Sequence, residues 1–254
     1  MTGKTYENTT SMNLANQHLT VPLTVLDGLK AAIPIALGYL PIAVAFGLLA
    51  KSAGIPNYVA MMMSLTIFAG ASQFVGVTMM ASGVSPWEIV FTTLIINLRH
   101  LLMAASISRR IELGHAKWLP LLAFGITDET FSVASFRSEP RISQRFALAL
   151  NFLSFGAWNV GTWVGLFAAK GLPEIIKNGM GIALYAMFIG LLVPNLKKSK
   201  AALTVALTAA FVHWALYEIP LVSDLTAGWK IILSTLAAAG AGTAFFPGGD
   251  GDDQ

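Results

Sequence analysis

The sequence predicts an all-α polytopic membrane protein, a bundle of about seven to eight transmembrane helices with some broken or re-entrant segments. Of the 254 residues, 55% are hydrophobic and only 11% are charged, whereas charged residues make up about a quarter of a typical soluble domain. Apolar runs of about 20 residues, long enough to cross a bilayer as helices, recur along the chain. The sequence leaves open whether the bundle is built from internal repeats.

The predicted domain organisation is a single transmembrane domain at residues 21–246, flanked by two polar tails. Residues 1–20 lack the basic-then-apolar layout of a signal peptide and are predicted to be disordered. Residues 247–254, PGGDGDDQ, are predicted to form an acidic flexible tail. The chain therefore offers one folded domain, and that domain belongs in a lipid bilayer.

Several classes of function are disfavoured by what the chain lacks. It contains no cysteine, which excludes disulfides, thiol catalysis and cysteine metal sites. It has no Walker-type glycine loop, so it is not expected to hydrolyse ATP. Its net positive charge comes from basic residues in loops that are not interleaved with aromatics, so nucleic acid is not an expected partner. No metal site, cofactor or enzymatic activity is predicted.

The first two predicted spans, 29–51 and 58–81, are each interrupted near the middle. Pro41 lacks a backbone donor, so the first span is predicted to kink or unwind near Tyr39, although a tolerated proline kink is the alternative. The second span contains the small residues around Gly70, which permit close helix packing. A break at Gly70 would instead aim free backbone amides at the midplane, where half-helix N-termini bind carboxylates.

The third predicted span, 86–108, carries Arg99 near its midpoint, with Asn97 and His100 beside it. A charge at that depth costs at least about 2.5–3.5 kcal/mol, so it is retained where it faces protein or water and has a partner. A role as a structural tether between helices is the alternative to a functional one.

A helical wheel at about 100° per residue divides this span into two faces. One suits a polar bundle interior and the other suits lipid. The polar arc holds Thr92, Thr93, Asn97, Arg99, His100, Met103 and Ser106, and the opposite arc holds Val90, Phe91, Ile95, Leu98, Leu101, Leu102 and Ala105.

The fourth segment, 118–136, is short and carries Asp128 and Glu129 at its centre. Two adjacent carboxylates near mid-depth cannot both ionise cheaply. We expect one of them to pair with Arg99 and the other to stay protonated. The sequence leaves open whether this segment spans the membrane or is re-entrant.

Four further spans are predicted, and they bear on orientation. If the fourth segment is re-entrant and the N-terminus is outside, about ten basic residues lie inside against about five outside, as the positive-inside rule favours. A loose sequence echo links residues 39–51 with 159–170 and suggests a repeat. The further spans are 146–169, 179–196, 201–219 and 229–246.

Four motifs occur in order: GYLPIAVAFG, FAGASQF, NLRHLLMAAS and FGITDETFS. Together they resemble the AzlC family over roughly residues 38–132. The resemblance implies the large subunit of a two-component exporter of branched-chain amino acids in the bacterial inner membrane, with a small AzlD-type membrane partner. It further implies substrates such as valine, leucine, isoleucine and sometimes methionine, and export driven by the proton gradient.

A secondary transporter is therefore the predicted function, and an intramembrane hydrolase with Ser72 as nucleophile or a passive channel are the alternatives. The partner subunit is expected at the small-residue surface 237–242. The predicted substrate-binding residues are Gly38, Tyr39, Pro41, Phe46, Gly70, Ala71, Ser72, Gln73 and Phe74. The predicted proton-coupling or gating residues are Asn97, Arg99, His100, Asp128 and Glu129.

Overall fold

The computed structural model describes residues 23–112, 114–168, 199–220, 222 and 225–247, with scattered positions between 173 and 197. The predicted N-terminal tail, nearly all of the sixth span and most of the acidic tail lie outside the described residues. Contacts divide the chain into two compact units. The first unit comprises 1–35 and 103–154, and the second comprises 36–102 and 155–254.

Within the described residues the chain folds into nine α-helices, one 3-10 turn at Ala116–Trp118 and two short strands. Three of these helices, α1, α4 and α8, are long and apolar enough to cross a membrane by length and composition. The helices are α1 Val25–Ser52, α2 Asn57–Thr66, α3 Gly70–Ala81, α4 Pro86–Ser108, α5 Leu119–Phe124, α6 Asp128–Ser135, α7 Gln144–Phe167, α8 Lys200–Glu218 and α9 Ala227–Phe245; the strands are β1 Ile111–Glu112 and β2 Ile142–Ser143.

Helix α1 runs without interruption through Gly38–Pro41, so the predicted unwinding near Tyr39 is wrong. Proline removes the hydrogen bond to the carbonyl four residues earlier, which here belongs to Leu37. Pro41 and Leu37 both lie on the exposed side of the helix. The helix therefore loses one bond on its outer side and keeps its buried face intact.

In the second unit, α1 and α7 pack closely and in parallel through glycines. A Cβ on Gly161 would lie 2.8 Å from the Leu40 carbonyl oxygen, and a Cβ on Gly165 would lie 2.9 Å from the Gly47 Cα. Contacts that advance together along both helices indicate a parallel pair. Small residues four apart allow this approach of two backbones. The sequence echo of 39–51 and 159–170 falls on these two helices, and a repeat stays a prediction.

Helices α2 and α3 fold back on each other as a helical hairpin, called hairpin 1 (residues 57–81). A Cβ on Gly76 would lie 3.6 Å from Met63 Cε, although 13 residues of straight helix would separate them by about 20 Å. The break before Gly70 is confirmed, but the expected single span is wrong. Helices of 10 and 12 residues reach only about 15–18 Å, short of a bilayer core of about 30 Å.

Helices α5 and α6 form a second hairpin, called hairpin 2 (residues 119–135). Its two flanking loops meet, because β1 pairs with β2 in the register Ile111↔Ile142. The Arg110 guanidinium also donates to the carbonyls of Ser135, Arg137 and Glu139 at 2.6–2.7 Å. The segment therefore leaves and returns at the same end. Of the two alternatives that the sequence left open, the re-entrant one agrees with this geometry.

The depth of hairpin 2 can be read along α7. At the base, the Gln144 side chain accepts from the His115 amide at 2.9 Å and donates to its carbonyl. At the tip, Asn151 Nδ2 donates to the Leu122 carbonyl at 3.1 Å. Seven residues of α7 separate the two contacts, which is a rise of about 10 Å. The tip therefore lies about one third of a bilayer core from the base.

The start of α1 lies at this same end of the first unit. The Ser143 hydroxyl donates to the Leu23 carbonyl, and a Cβ on Gly28 would lie 2.9 Å from Ala149 Cβ. The orientation that placed the N-terminus outside and both basic loops inside is therefore wrong. That orientation assumed that the second segment crosses the membrane, whereas the segment folds back as hairpin 1.

Helices α8 and α9 lie where the seventh and eighth spans were predicted and pack against each other. Helix α8 is long and apolar enough to cross a membrane, whereas a membrane crossing by α9 stays a prediction. A Cβ on Gly242 would lie 2.7 Å from Val205, so part of the small-residue surface 237–242 is already used within the chain. Ala237, Ala239 and Gly240 remain exposed. A contact between this surface and the expected partner helix would therefore use these three residues.

Candidate functional site

The tip of hairpin 1 is the polar break that the second unit encloses. Phe68 adopts a left-handed backbone with φ 43°, which is strained for a bulky side chain. Its ring is buried against Tyr39 and Phe155, with centroids 6.2 and 5.2 Å away. These edge-to-face contacts hold the turn that ends α2 and starts α3.

Among the residues that the structure describes, no side chain caps the start of α3. Ala69 precedes the helix with an extended backbone and caps nothing, while the Ser72 hydroxyl donates to the Ala69 carbonyl at 2.9 Å. The first amides of a helix need partners and carry positive partial charge. Because Ala69 and Ser72 are buried, these amides offer hydrogen-bond donors for an anionic group. The Ser72 bond gives no support to the hydrolase alternative.

Trp158 of α7 lies directly against this helix start. A Cβ on Gly70 would lie 2.8 Å from its ring, so only glycine fits there without displacement. The same indole contacts Tyr39 edge-on at 5.4 Å and Phe46 at 6.4 Å. Phe46 in turn meets Phe74 at 5.6 Å. The result is a buried aromatic wall along α3.

A closed hydrogen-bond circuit fixes Gln73 beneath the tip. Trp158 Nε1 donates to Gln73 Oε1 at 3.0 Å, and Gln73 Nε2 donates to the Ser64 hydroxyl at 3.0 Å. Ser64 and Thr162 share a 2.8 Å bond, and the Thr162 hydroxyl donates to the Trp158 carbonyl at 3.0 Å. With Ser64 donating to Thr162, the indole N–H, both hydroxyls and one of the two Gln73 Nε2 hydrogens each have an acceptor. The Ser64 and Thr162 hydroxyls and both the oxygen and the nitrogen of the Gln73 amide therefore have partners. In this buried site a missing hydrogen bond would be costly.

The structure brings most of the predicted substrate-binding residues together but leaves two outside. Gly38 is exposed, with nothing within 4 Å of an added Cβ, and Pro41 is exposed as well. They lie on the outer side of α1, since a continuous helix turns only one face inward. The residues gathered at hairpin 1 are Tyr39, Phe46, Gly70, Ala71, Ser72, Gln73 and Phe74.

Sequence reasoning missed the contribution of α7 to this site. The fifth predicted span, 146–169, contains several polar residues, including Asn151, Ser154 and Asn159, and this is the signal that could have pointed to Trp158 and Thr162. Asn159 is 7% exposed, and its Nδ2 donates to the Phe155 carbonyl. Its Oδ1 is buried and has no hydrogen-bond partner among the residues that the structure describes. The face of α7 that packs on the tip therefore carries a spare acceptor.

The polar helix α4 has the two faces that the sequence predicts. Leu101 and Leu102 on the apolar arc are 67% and 71% exposed. Thr92 is buried, and Arg99 and Asn97 are partly buried. The Asn97 Oδ1 atom is buried without a partner in the described part of the chain. The exposure of Leu101 and Leu102 and the burial of Thr92 agree with the predicted division, but Ser106 on the predicted polar arc is exposed. The roles of Asn97, Arg99 and His100 stay predictions.

The tip of hairpin 2 carries both central carboxylates at the start of α6. Thr127 caps this helix, and Thr130 completes a capping box with it. Asp128 and Glu129 are partly buried in its first turn, where the helix dipole favours negative charge. Arg99 belongs to the second unit and these carboxylates to the first, so their pairing stays a prediction.

A bundle of long apolar helices with two interrupted hairpins, each with polar residues at its tip, is the architecture of a polytopic membrane transport protein. The family model described as AzlC protein matches residues 34–172. The chain is 34% identical over 205 residues to "Inner membrane protein YgaZ" of Escherichia coli (strain K12), which covers 78% of this chain and 84% of that protein. The chain belongs to the AzlC family.

Two further relatives bear on the comparison. The chain is 36% identical over 172 residues to an "Uncharacterized membrane protein" of Archaeoglobus fulgidus, covering 67% of this chain and 75% of that protein. It is 28% identical over 171 residues to "Branched-chain amino acid transport protein AzlC" of Bacillus subtilis (strain 168), covering 66% of each. No solved structure matches the chain.

Proposed function

We propose that this chain is the large subunit of a proton-driven exporter of branched-chain amino acids and that it binds its substrate at the tip of hairpin 1. The observation that carries the proposal is the uncapped, buried start of α3 beside an aromatic wall. The B. subtilis relative is named as a branched-chain amino acid transport protein, which supports the substrate class.

The carboxylate of the substrate binds the first amides of α3. Gly70 and Ala71 are partly buried and precede the buried Ser72, and no side chain caps them. Interrupted helices in transporters present their N-termini to anionic substrate groups in this way. The absence of a cap distinguishes α3 from α6, whose start is closed by Thr127.

The ammonium group of the substrate has a matching acceptor in Asn159. Phe155 and Trp158, which share its face of α7, contact Phe68 and Gly70 at the tip. A buried carbonyl oxygen without a partner is costly, and a ligand ammonium satisfies it. The amides at the start of α3 would bind the carboxylate and Asn159 Oδ1 would bind the ammonium, so the site suits a zwitterion better than a simple anion.

The apolar side chain of the substrate packs against Tyr39, Phe74 and the Trp158 ring. These rings offer apolar surface and no charge. Such a surface selects for aliphatic side chains but separates neighbours differing by one methylene only about 10- to 200-fold. The set of exported amino acids is therefore expected to be broad among aliphatic residues.

The proposal includes a small AzlD-type membrane subunit and coupling to protons. The exposed small residues of α9 offer a surface for a close helix contact. Coupling is assigned to Arg99 with Asp128 or Glu129, since protonation of the carboxylate would release its hold on the arginine. Ionisable groups inside a membrane commonly serve such relays.

The test is a transport assay with substrate analogues. The full chain is reconstituted with its small partner, and uptake of leucine is compared with 4-methylpentanoate, which lacks the ammonium, and isopentylamine, which lacks the carboxylate. We expect leucine to be transported and both analogues to fail. Equal transport of all three, or none of leucine, would contradict the proposed function.

The role of Asn159 is tested by its own variant. Asn159→Ala should narrow the preference for leucine over 4-methylpentanoate about tenfold, in line with the loss of one hydrogen bond to a charged group. Ser154→Ala is the matched control, because Ser154 is buried in the same helix and its hydroxyl is bonded to the Leu150 carbonyl. An unchanged preference in Asn159→Ala would remove this residue from the site.

A further inference from the structure

The base of hairpin 2 gathers positive charge from two separate stretches of sequence. Residues 109–118 and 136–145 meet there through the β1–β2 pair. They contain two acidic residues, Glu112 and Glu139, and six basic ones. The basic residues are Arg109, Arg110, Lys117, Arg137, Arg141 and Arg145.

Two of these cations are committed to the fold. Arg110 donates to three backbone carbonyls, and the Arg137 guanidinium lies 4.9 Å from the centre of the Phe146 ring. Asp27 and Lys30 at the nearby start of α1 offset each other. The other four of the six basic residues in these two stretches are exposed, and they are Arg109, Lys117, Arg141 and Arg145.

Exposed aromatic side chains accompany the charges. Trp118 is 41% exposed and lies under the Lys117 ammonium, 5.6 Å from its ring centre, and Phe136 is 82% exposed. Trp and basic residues together are typical of the membrane–water interface, where a ring enters the headgroup layer. From this level the hairpin descends about 10 Å along α7.

We propose that this end of the first unit faces the cytoplasm and binds the anionic phospholipid headgroups of the inner leaflet through Arg109, Lys117, Arg141 and Arg145. Basic residues near the ends of spans are retained on the cytoplasmic side. The cytoplasmic leaflet carries anionic lipid, which attracts such clusters. The start of α1 shares this end, so residue 23 is cytoplasmic too.

Sidedness is tested by single cysteines, because the chain has none of its own. Val25→Cys, His115→Cys and Ser138→Cys place a thiol at three exposed positions of this end. In spheroplasts, a membrane-impermeant maleimide should label none of them, and all three should react once the membrane is permeabilised. Labelling of His115→Cys and Ser138→Cys from opposite sides, or of all three from outside, overturns the proposal.

Lipid binding is tested separately by competition between phosphatidylglycerol and phosphatidylcholine for the purified full chain, followed by native mass spectrometry. We expect wild type to prefer phosphatidylglycerol by about tenfold or more. Replacing all four exposed cations by glutamine should bring the preference close to one. Lys200→Gln, an exposed cation of α8, should leave the preference unchanged.

Single variants keep the test informative if the variant with four glutamines does not fold. Arg141→Gln and Arg145→Gln should each lower the preference about twofold to fivefold. A wild-type chain without preference, or four-glutamine and single variants that retain it, would contradict headgroup binding. None of these outcomes depends on which amino acid the chain transports.

Discussion

The ring of Trp158 packs against the backbone of Gly70, so that an added methyl group at Gly70 would lie 2.8 Å from the indole. One residue thus begins α3 and the other closes the site from α7. Since the same indole donates to Gln73, the position of the ring and the position of the helix start are coupled. A substrate that binds the α3 amides would also contact this ring.

Gly70→Ala is expected to abolish most transport. The methyl group must displace the indole or the helix start, and overpacking of this kind costs about 1–3 kcal/mol. Efflux of labelled leucine from cells with normal membrane levels of the variant is the measurement. Gly38→Ala is the control, because nothing lies within 4 Å of its added Cβ. Full activity in Gly70→Ala would refute the site.

Gln73→Leu should destabilise the second unit by about 2–4 kcal/mol. It leaves the Trp158 N–H without its acceptor, which costs about 1–3 kcal/mol, and removes one of the two hydrogen bonds of the Ser64 hydroxyl, which stays bonded to Thr162. Denaturant unfolding in detergent measures the change. Thr78→Val, whose exposed hydroxyl bonds to its own helix at the Phe74 carbonyl, should stay within about 0.5 kcal/mol of wild type. Similar stabilities for both variants would show that the circuit is not needed.

Gly165→Ala is expected to separate α1 from α7 and to lower stability by about 3 kcal/mol, the upper part of the range for overpacking. Its added Cβ would meet the Gly47 backbone at 2.9 Å, and a backbone cannot move aside as a flexible side chain does. Thermal unfolding compares it with Gly156→Ala, where the added Cβ meets nothing within 4 Å. Alanine is the better helix former at that open position, so a loss in Gly156→Ala equal to that in Gly165→Ala would argue against the close contact.

Asp128→Asn or Glu129→Gln should abolish proton-driven export while exchange of labelled substrate across the membrane survives. Under the proposed coupling, neutralising the carboxylate removes the proton site, while the proposed substrate site at hairpin 1 keeps all of its residues. Arg99→Ala should be worse than the double neutral variant, because a carboxylate then loses its counter-charge inside the membrane. Flux with and without a proton gradient in proteoliposomes distinguishes these outcomes. Export that still follows the gradient in the double variant would exclude both carboxylates.

The sequence located the interruption at Gly70 and the polar centre of the fourth segment, but not the geometry of either. Small or capping residues at Gly70 and Thr127 mark where a helix must stop or start, and this is local chemistry. Whether the chain then continues forward or folds back depends on contacts between distant residues, such as Met63 with Gly76 or Arg110 with Glu139. For this reason the second segment was wrongly predicted to span, and the fourth was left open.

The candidate site likewise contains residues that could be predicted from the sequence and residues that could not. Tyr39, Gly70 and Gln73 were predictable because polar, small and helix-breaking residues in an apolar segment need an explanation in hydrocarbon. Trp158 and Asn159 were not, because an aromatic or an amide in a helix does not reveal its neighbours. Gly38 and Pro41 were predicted because a break was expected between them, but α1 is continuous and turns both to its outer side.

By itself the sequence determined the membrane class, the polar arc of α4, the helix start at Gly70 and the AzlC family. These follow from hydropathy, periodicity and motif order, which are local or linear properties. Only the tertiary structure decided that both interrupted segments fold back, that Trp158 of α7 closes the site, and that two distant basic loops share one end. Each of these depends on close backbone approach or on hydrogen bonds between residues far apart in the chain, and one sequence does not specify such pairings.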